Sequence, residues 1–131
     1  MTAILRHPSI CLLMGVMPKI PNIVIVFEHV AMGSLFNVLH MKKNQINLDL
    51  KQRLKMALDA ARVFQYMHTL GIVHRDIKIE NVLMSDFSHN STLRIADLGS
   101  AIKLSRPECT TNLRIGTPGY MAPEVIRGDH Y

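Results

Sequence analysis

Four side chains in the second half of the chain are of types that can do acid–base and cation chemistry together. Asp76, Lys78 and Asn81 fall in one short run, and Asp97 follows 21 residues after Asp76. A carboxylate such as Asp76 can orient a hydroxyl and finally take its proton. A lysine two residues on can neutralise an anionic group that such a hydroxyl attacks. Asn81 and Asp97 offer an amide oxygen and a carboxylate, the hard oxygen ligands that magnesium prefers. Singly these residues carry little weight. An isolated aspartate is most often a surface cap, and Asp86 and Asp129 read that way. The 7 histidines form no Cys/His or His-x3-His set, which argues against a metal site built on histidine.

The elements that must position these groups can be read from local pattern. Ile10 to Met14 reads as a buried strand stopped by Gly15 and Pro18. Pro21-Asn22 reads as a turn, and Ile23 to Phe27 as a second strand, β-branched and apolar on both faces, so the pair predicts an antiparallel hairpin. Ser34 stands where it would cap a short helix over Leu35 to His40. A long helix is expected from an N-cap at Asn47 to about Leu70. Its apolar stripe would be Leu50, Leu54, Ala57, Leu58, Ala61, Phe64 and His68, with Lys51, Arg53, Lys55, Asp59 and Arg62 mostly off it. Gly71 then stands where a C′ glycine would end it. Val82–Met84 and Leu93–Ala96 read as short strands joined by the polar loop from Asp86 to Thr92. Leu98 to Ile115 reads as loop, Gly116-Thr117-Pro118-Gly119 as a turn cluster, and Ala122-Pro123-Glu124 as the opening of a last helical turn.

In that setting the run His74-Arg75-Asp76-Ile77-Lys78-Ile79-Glu80-Asn81 resembles the catalytic loop of eukaryotic protein kinases, H-R-D-x-K-x-x-N. Asp97-Leu98-Gly99 resembles their D-F-G motif with leucine for phenylalanine, and Ala122-Pro123-Glu124 is their A-P-E. Gly116 to Met121 is similar to the segment that precedes A-P-E in serine/threonine kinases. Leu5-Arg6-His7-Pro8, and Phe27-Glu28-His29-Val30 through Gly33-Ser34-Leu35, resemble the linker before strand four and the hinge. The wording His7-Pro8-Ser9-Ile10, Met14-Gly15-Val16 and Gly33-Ser34-Leu35 resembles the tyrosine kinase-like group. The resemblance covers essentially the whole chain, in family order.

The resemblance implies an α/β fold of the α+β kind with two lobes. Residues 1–27 would be the end of the N-lobe, 28–34 the hinge, and 35–131 the mainly helical C-lobe through the activation segment. It implies transfer of the ATP γ-phosphate to a protein serine or threonine, with ATP and Mg2+ as cofactors. Catalysis of that reaction is positioning plus electrostatics, because charge is dispersed over a loose transition state. Asp76 would be the base, Lys78 the γ-phosphate cation, and Asn81 and Asp97 the metal ligands. Phe27 would stand as gatekeeper at the back of the nucleotide pocket. Glu28, His29 and Val30 would offer hinge backbone to adenine, with Ser34 closing the hinge and Leu83 forming the floor. Lys78, bridged to Asp76 by Thr117, implies serine/threonine specificity. His74 would be packed and structural.

The activation segment would run from Asp97 to Glu124 and hold Ser100, Ser105, Thr110, Thr111 and Thr117. A phosphate on Thr110 or Thr111, from an upstream kinase or autophosphorylation, would pair with Arg75, with Glu108 as a partial stand-in for its charge. No G-x-G-x-x-G loop, V-A-I-K lysine or helix-C glutamate occurs in the chain. The expectation is therefore a truncated domain, inactive and marginally folded by itself, with Met1 internal to a longer product or a mis-called start. A pseudokinase scaffold and an inactive gene fragment are the alternatives.

Composition is compatible with this and excludes other classes. With 131 residues, 48% hydrophobic and 19% charged, the chain has the make-up of a globular core and not of a disordered tail. The net charge of +5 is scattered, Lys42-Lys43 and Lys51-Arg53-Lys55 being its densest groups, and no aromatics interleave with them, so nucleic acid is not expected as a partner. The longest apolar run, Ile10 to Met17, is far short of the roughly 20 residues of a membrane span. No signal-peptide pattern opens the chain. Cys11 and Cys109 make neither a disulfide framework nor a zinc set, so a reduced, cytoplasmic setting is expected.

Overall fold

A computed structural model describes residues 5–41, 46–104 and 113–129. Met1, Lys42, Lys43, Ser105, Glu108, Cys109, Thr110 and Thr111, on which expectations were placed, lie outside the described residues. The described residues are α+β, built from three two-stranded antiparallel sheets and one long helix.

Strands β1 (Leu13–Lys19) and β2 (Asn22–Phe27) form the expected hairpin, with Val16 opposite Ile25. The first strand is displaced from its expected place, and it runs through Gly15 and Pro18. Gly15 is accommodated because the register shifts between Leu13 and Gly15, where a residue without a side chain weakens the ladder least. Pro18 is tolerated because in a two-stranded sheet each strand is an edge, where a missing N–H need not break a ladder. Every residue of β2 is exposed. Ile10 and Cys11, expected in this strand, pair elsewhere: Cys11 N donates to Ile95 O at 2.8 Å and Ile95 N to Ser9 O at 2.8 Å. Ser34 Oγ accepts from Asn37 N at 3.3 Å, as a cap should, at the head of a π-helical turn over Asn37–Met41.

Helix α1 spans Leu50–Thr69, and its N-cap is Asp49 instead of Asn47. Asp49 Oδ1 accepts from Gln52 N at 2.8 Å while Gln52 Oε1 accepts from Asp49 N at 2.9 Å, a reciprocal capping box. Asp49 wins because a glutamine stands three residues after it. Gly71, at φ 68, ends the helix in the left-handed region, and its carbonyl accepts from Leu104 N at 2.8 Å.

The buried face of α1 is not the expected stripe. Leu50, Leu54 and Leu58 are exposed, at 71%, 62% and 49%. The helix buries Val63 and Met67, with Met56, Ala60 and Phe64 packed alongside, a face rotated by roughly a third of a turn. Asp59 lies on this face too, tied to Lys55 Nζ at 2.6 Å, and Lys55 Nζ also reaches Ser91 O at 2.7 Å. A buried carboxylate paired this way can face the core side.

Strand β3 (Ile72–Val73) pairs with β6 (Ile102–Lys103), a strand inside the stretch expected to be loop. Strands β4 (Val82–Met84) and β5 (Leu93–Ile95) form the second expected hairpin, with Leu83 opposite Arg94. Helix α2 (Pro123–Arg127) opens with Pro at its first turn, as expected. Leu5, Ile10, Ile72, Leu93, Ile95 and Leu98 close over Val63 and Met67 as one core, while Val38, Leu48 and Met84 make a second. No helix among the described residues is long and apolar enough to cross a membrane.

The choice of face can be tested by truncation. Met67→Ala should cost about 2–5 kcal/mol, because a buried side chain leaves a cavity. Leu54→Ala should stay within about 0.5 kcal/mol, as for other exposed positions. Urea unfolding of the two variants checks this, and the reverse order of costs would contradict the assigned face.

Candidate active site

The loop between β3 and β4 carries three of the candidate site residues, Asp76, Lys78 and Asn81. A 3-10 turn over Ile79–Asn81, closed by Asn81 N donating to Lys78 O at 3.0 Å, turns Asn81 back toward the start of the loop. Asn81 Nδ2 donates to the Asp76 carbonyl at 2.9 Å and to Asp76 Oδ2 at 3.2 Å. Lys78 Nζ lies 2.9 Å from the same Oδ2. Thr117 Oγ1 donates to Asp76 Oδ1 at 2.6 Å and accepts from Lys78 Nζ at 2.7 Å. Asp76, Lys78 and Asn81 are thus brought together, and Thr117 closes the group from 41 residues away.

Burial by itself would push the buried Asp76 carboxyl upward. The hydrogen bonds from Lys78, Thr117 and Asn81, with the lysine charge, outweigh it and hold the group below the ordinary carboxylate range. The same carboxylate raises the Lys78 ammonium above its ordinary value. His74 is buried and packs edge-on to Phe64. Its Nδ1 accepts from Asp76 N at 3.2 Å, and its Nε2 lies 3.3 Å from Ala96 O, so a neutral ring protonated on Nε2 satisfies both contacts. Burial lowers its pKa, which favours that neutral form. The ring fixes backbone on both sides of the site.

Two backbone positions here are strained. Arg75 and Asp97 have φ of 67 and 55, a region other residues leave mainly to glycine. Arg75 Nε donates to Ser100 O at 2.7 Å, while its Nη1 is buried without a hydrogen-bond partner among the described residues. A Cβ at Gly116, itself at φ 135, would come within 2.8 Å of the Arg75 carbonyl. Only glycine lets the segment carrying Thr117 approach this closely.

Asp97 follows β5, and Ala96 N donates to Asn81 O at 2.8 Å, which ties the Asp97 backbone to that of Asn81. Asn81 spends its amide nitrogen on Asp76, leaving its side-chain oxygen available. Asp97 Oδ1 accepts from Gly99 N at 3.1 Å, leaving Oδ2 available. One amide oxygen and one carboxylate oxygen on neighbouring backbone segments fit a magnesium ion, which takes few protein ligands and keeps phosphate and water for the rest.

A cavity of about 800 Å³ adjoins this pair. Phe27, Glu28, Leu83 and Asp97 line it, together with Cys11, Ile25 and Leu98. His29, Val30 and Ser34 are not among its lining residues. The Val30 carbonyl accepts from Gly33 N at 3.1 Å, and Ser34 makes a backbone bridge to Leu83. Sequence reasoning missed Gly116, whose need is visible only against the Arg75 carbonyl. It also missed Arg94, although the placing of an arginine between the apolar Leu93 and Ile95 was a signal.

A two-stranded hairpin followed by a long helix, with this loop beside a cavity, defines a class. The family model described as the protein kinase domain matches residues 1–131, and the chain belongs to that family. It is 43% identical over 131 residues to the Arabidopsis thaliana protein called "Probable serine/threonine-protein kinase SIS8", with 95% of this chain and 12% of that protein covered. It is 40% identical over 131 residues to serine/threonine-protein kinase CTR1 of the same plant, covering 95% of this chain and 15% of that protein. Against the Dictyostelium discoideum protein called "Probable serine/threonine-protein kinase drkC" identity is 36% over 131 residues, with 97% and 17% covered. The chain therefore spans a small part of the length of these curated relatives.

The charge pairing has a signed pH dependence. Because Asp76 is depressed, its pairing stabilises the fold above the unfolded value of about 3.9 and is lost as pH falls through the folded value. Because Lys78 is raised, its share is present below about 10.4 and is lost as pH rises through its folded value. In Lys78→Met the Asp76 carboxyl, followed by carbon NMR, should titrate at higher pH than in the wild type. An unchanged midpoint would show that Lys78 does not hold the carboxylate.

Proposed function

We propose that this chain carries the catalytic centre of a serine/threonine protein kinase, transferring the γ-phosphate of ATP to a serine or threonine hydroxyl of a protein. The observation that carries the reading is the Asp76–Lys78–Thr117 contact beside the Asn81/Asp97 pair. Asp76 already accepts from one aliphatic hydroxyl, which is the group it would orient in a substrate. A carboxylate held below its ordinary range is a weak base. It therefore aligns the hydroxyl first and takes its proton only as the new P–O bond forms and the bond to the ADP oxygen breaks. Lys78 supplies positive charge to the phosphoryl oxygens from the other side of that hydroxyl. Asn81 and Asp97 would hold Mg2+, which supplies neutralisation of phosphate charge. Phe27, Glu28 and Leu83 would bound the base, with Glu28, His29 and Val30 in the hinge and Ser34 at its end.

Lys78 favours serine and threonine over tyrosine as acceptors, because its ammonium crowds and neutralises the space next to Asp76. Arg75 Nη1, buried and without a hydrogen-bond partner among the described residues, supports a second part of the reading. A phosphate added by an upstream kinase or by autophosphorylation would give this nitrogen a charge-assisted partner. A cytoplasmic location goes with the reading, since the cysteines form no framework of the kind used in oxidising compartments.

In the intact protein, Asp76→Asn should reduce phosphoryl transfer by roughly 10²-fold or more, in the range of a lost general base. Its nucleotide affinity should hardly move. Asp97→Asn should instead weaken magnesium-dependent nucleotide binding. Radiolabelled-phosphate transfer and calorimetric titration distinguish the two, and near wild-type transfer by the Asp76 variant would remove it from the role of base. Arg75→Ala should lower activity more in protein that carries the phosphate than in protein without it, so equal losses with and without phosphatase treatment would refute the phosphate contact.

A further inference from the structure

Glu28 does something in this structure that its place in the hinge does not require. Its backbone N–H donates to Leu12 O at 2.9 Å, as an antiparallel ladder would have it. The reciprocal bond is missing. Leu12 N donates instead to the Glu28 side chain, at 2.8 Å to Oε1. The same Oε1 accepts from Arg94 Nε at 3.2 Å, and Arg94 Nη1 donates to Thr92 Oγ1 at 3.1 Å. The carboxylate has thus taken over the ladder donor that would have gone to its own carbonyl. The Glu28 carbonyl is left with the Cys11 thiol, a weak donor at 3.9 Å.

We infer that the Glu28–Arg94 pair is a positioning clamp that keeps the Glu28 carbonyl free to accept an N–H from a nucleobase. Three observations carry this. Glu28 is among the residues that line the large cavity. Arg94 lies opposite Leu83 in the β4–β5 hairpin, so the pair joins the end of the first hairpin to the strand that leads into Asp97. Both side chains are largely shielded, at 22% and 27% exposure, so the charge pair is less screened than on an open surface. Without the pair, the Leu12 N–H would return to the Glu28 carbonyl and complete the ladder, taking up one of its two lone pairs and weakening it as an acceptor for a base. Glu28 and Arg94 would then be positioning residues, acting through the backbone and not through contact with the phosphates.

The inference rests on the nucleotide-binding reading above, and the test separates the two. The intact protein and its Arg94→Ala and Arg94→Lys variants are titrated with Mg-ATP and with Mg-purine riboside triphosphate, which lacks the 6-amino group. The wild type should prefer ATP by roughly 5- to 20-fold, the worth of about one hydrogen bond. In Arg94→Ala ATP should weaken toward the affinity of the amino-free analogue, whose own affinity changes little, and Arg94→Lys should recover part of the preference. A merely structural loss would weaken both nucleotides alike and leave the ratio unchanged, which would overturn the clamp. Amide hydrogen exchange at Leu12 is the second readout. Its protection should persist in Arg94→Ala as the bond moves to the backbone carbonyl, and loss of protection would contradict the exchange of partners. No binding of either nucleotide by the wild type would remove the nucleotide reading, and the clamp with it.

Discussion

The Asp76 carboxylate is the constraint around which the loop is built. A buried charge without partners would shift toward its neutral form or unfold its surroundings. This one receives Lys78, Asn81 and Thr117, and the three come from a position two residues away, a 3-10 turn and a segment 41 residues distant. Keeping the charge therefore requires that the whole loop and the Gly116–Thr117 segment be in place together. The same bonds that stabilise the charge also orient it, so structural and chemical demands coincide at one group.

That closeness has a cost in the backbone. Arg75, next to Asp76, and Asp97, 21 residues on, both sit in the left-handed region, and each costs of order 1–2 kcal/mol. The surroundings over-determine them. His74 bonds the backbone N–H of Asp76 and the carbonyl of Ala96, Arg75 is fastened to Ser100, and Asp97 is fastened to Gly99. The buried Val63, Met67, Ile72, Ile95 and Leu98 form the rigid base from which these short bonds extend. Strain concentrated at a site and held by a well-packed core is the arrangement expected where geometry matters more than local stability.

The large cavity illustrates a second economy. Its walls come from the first hairpin, from β4 and β5, and from the stretch after β5, so it exists only when separate pieces meet. The ion pair between Glu28 and Arg94 spans the same junction. A ligand held there would touch pieces whose mutual placement depends on few contacts, which ties ligand binding to the relative setting of those pieces.

Much of this was legible in local sequence. The order of the motifs, the two hairpins, the glycine stop at Gly71 and the proline start of α2 follow from spacing and turn chemistry, which act over a few residues. The juxtaposition of Asp76, Lys78 and Asn81 is likewise short-range, within five residues, with a 3-10 turn closing Asn81 back onto Lys78. What the sequence could not specify are choices between equivalent local patterns. Two apolar stripes at helical period run along α1, and periodicity alone does not say whether Leu54 or Met67 is covered. The pairing of β6 with β3 and the partners of Ile10 and Cys11 are long-range, with nothing local to mark them. Arg94 and Glu28 are 66 residues apart, and Thr117 reaches Asp76 only because Gly116 lets backbone approach Arg75. Short-range geometry was set by the order of residues. Which faces are buried and which distant charges meet was decided by packing, because burial is a property of the whole fold and not of any one segment.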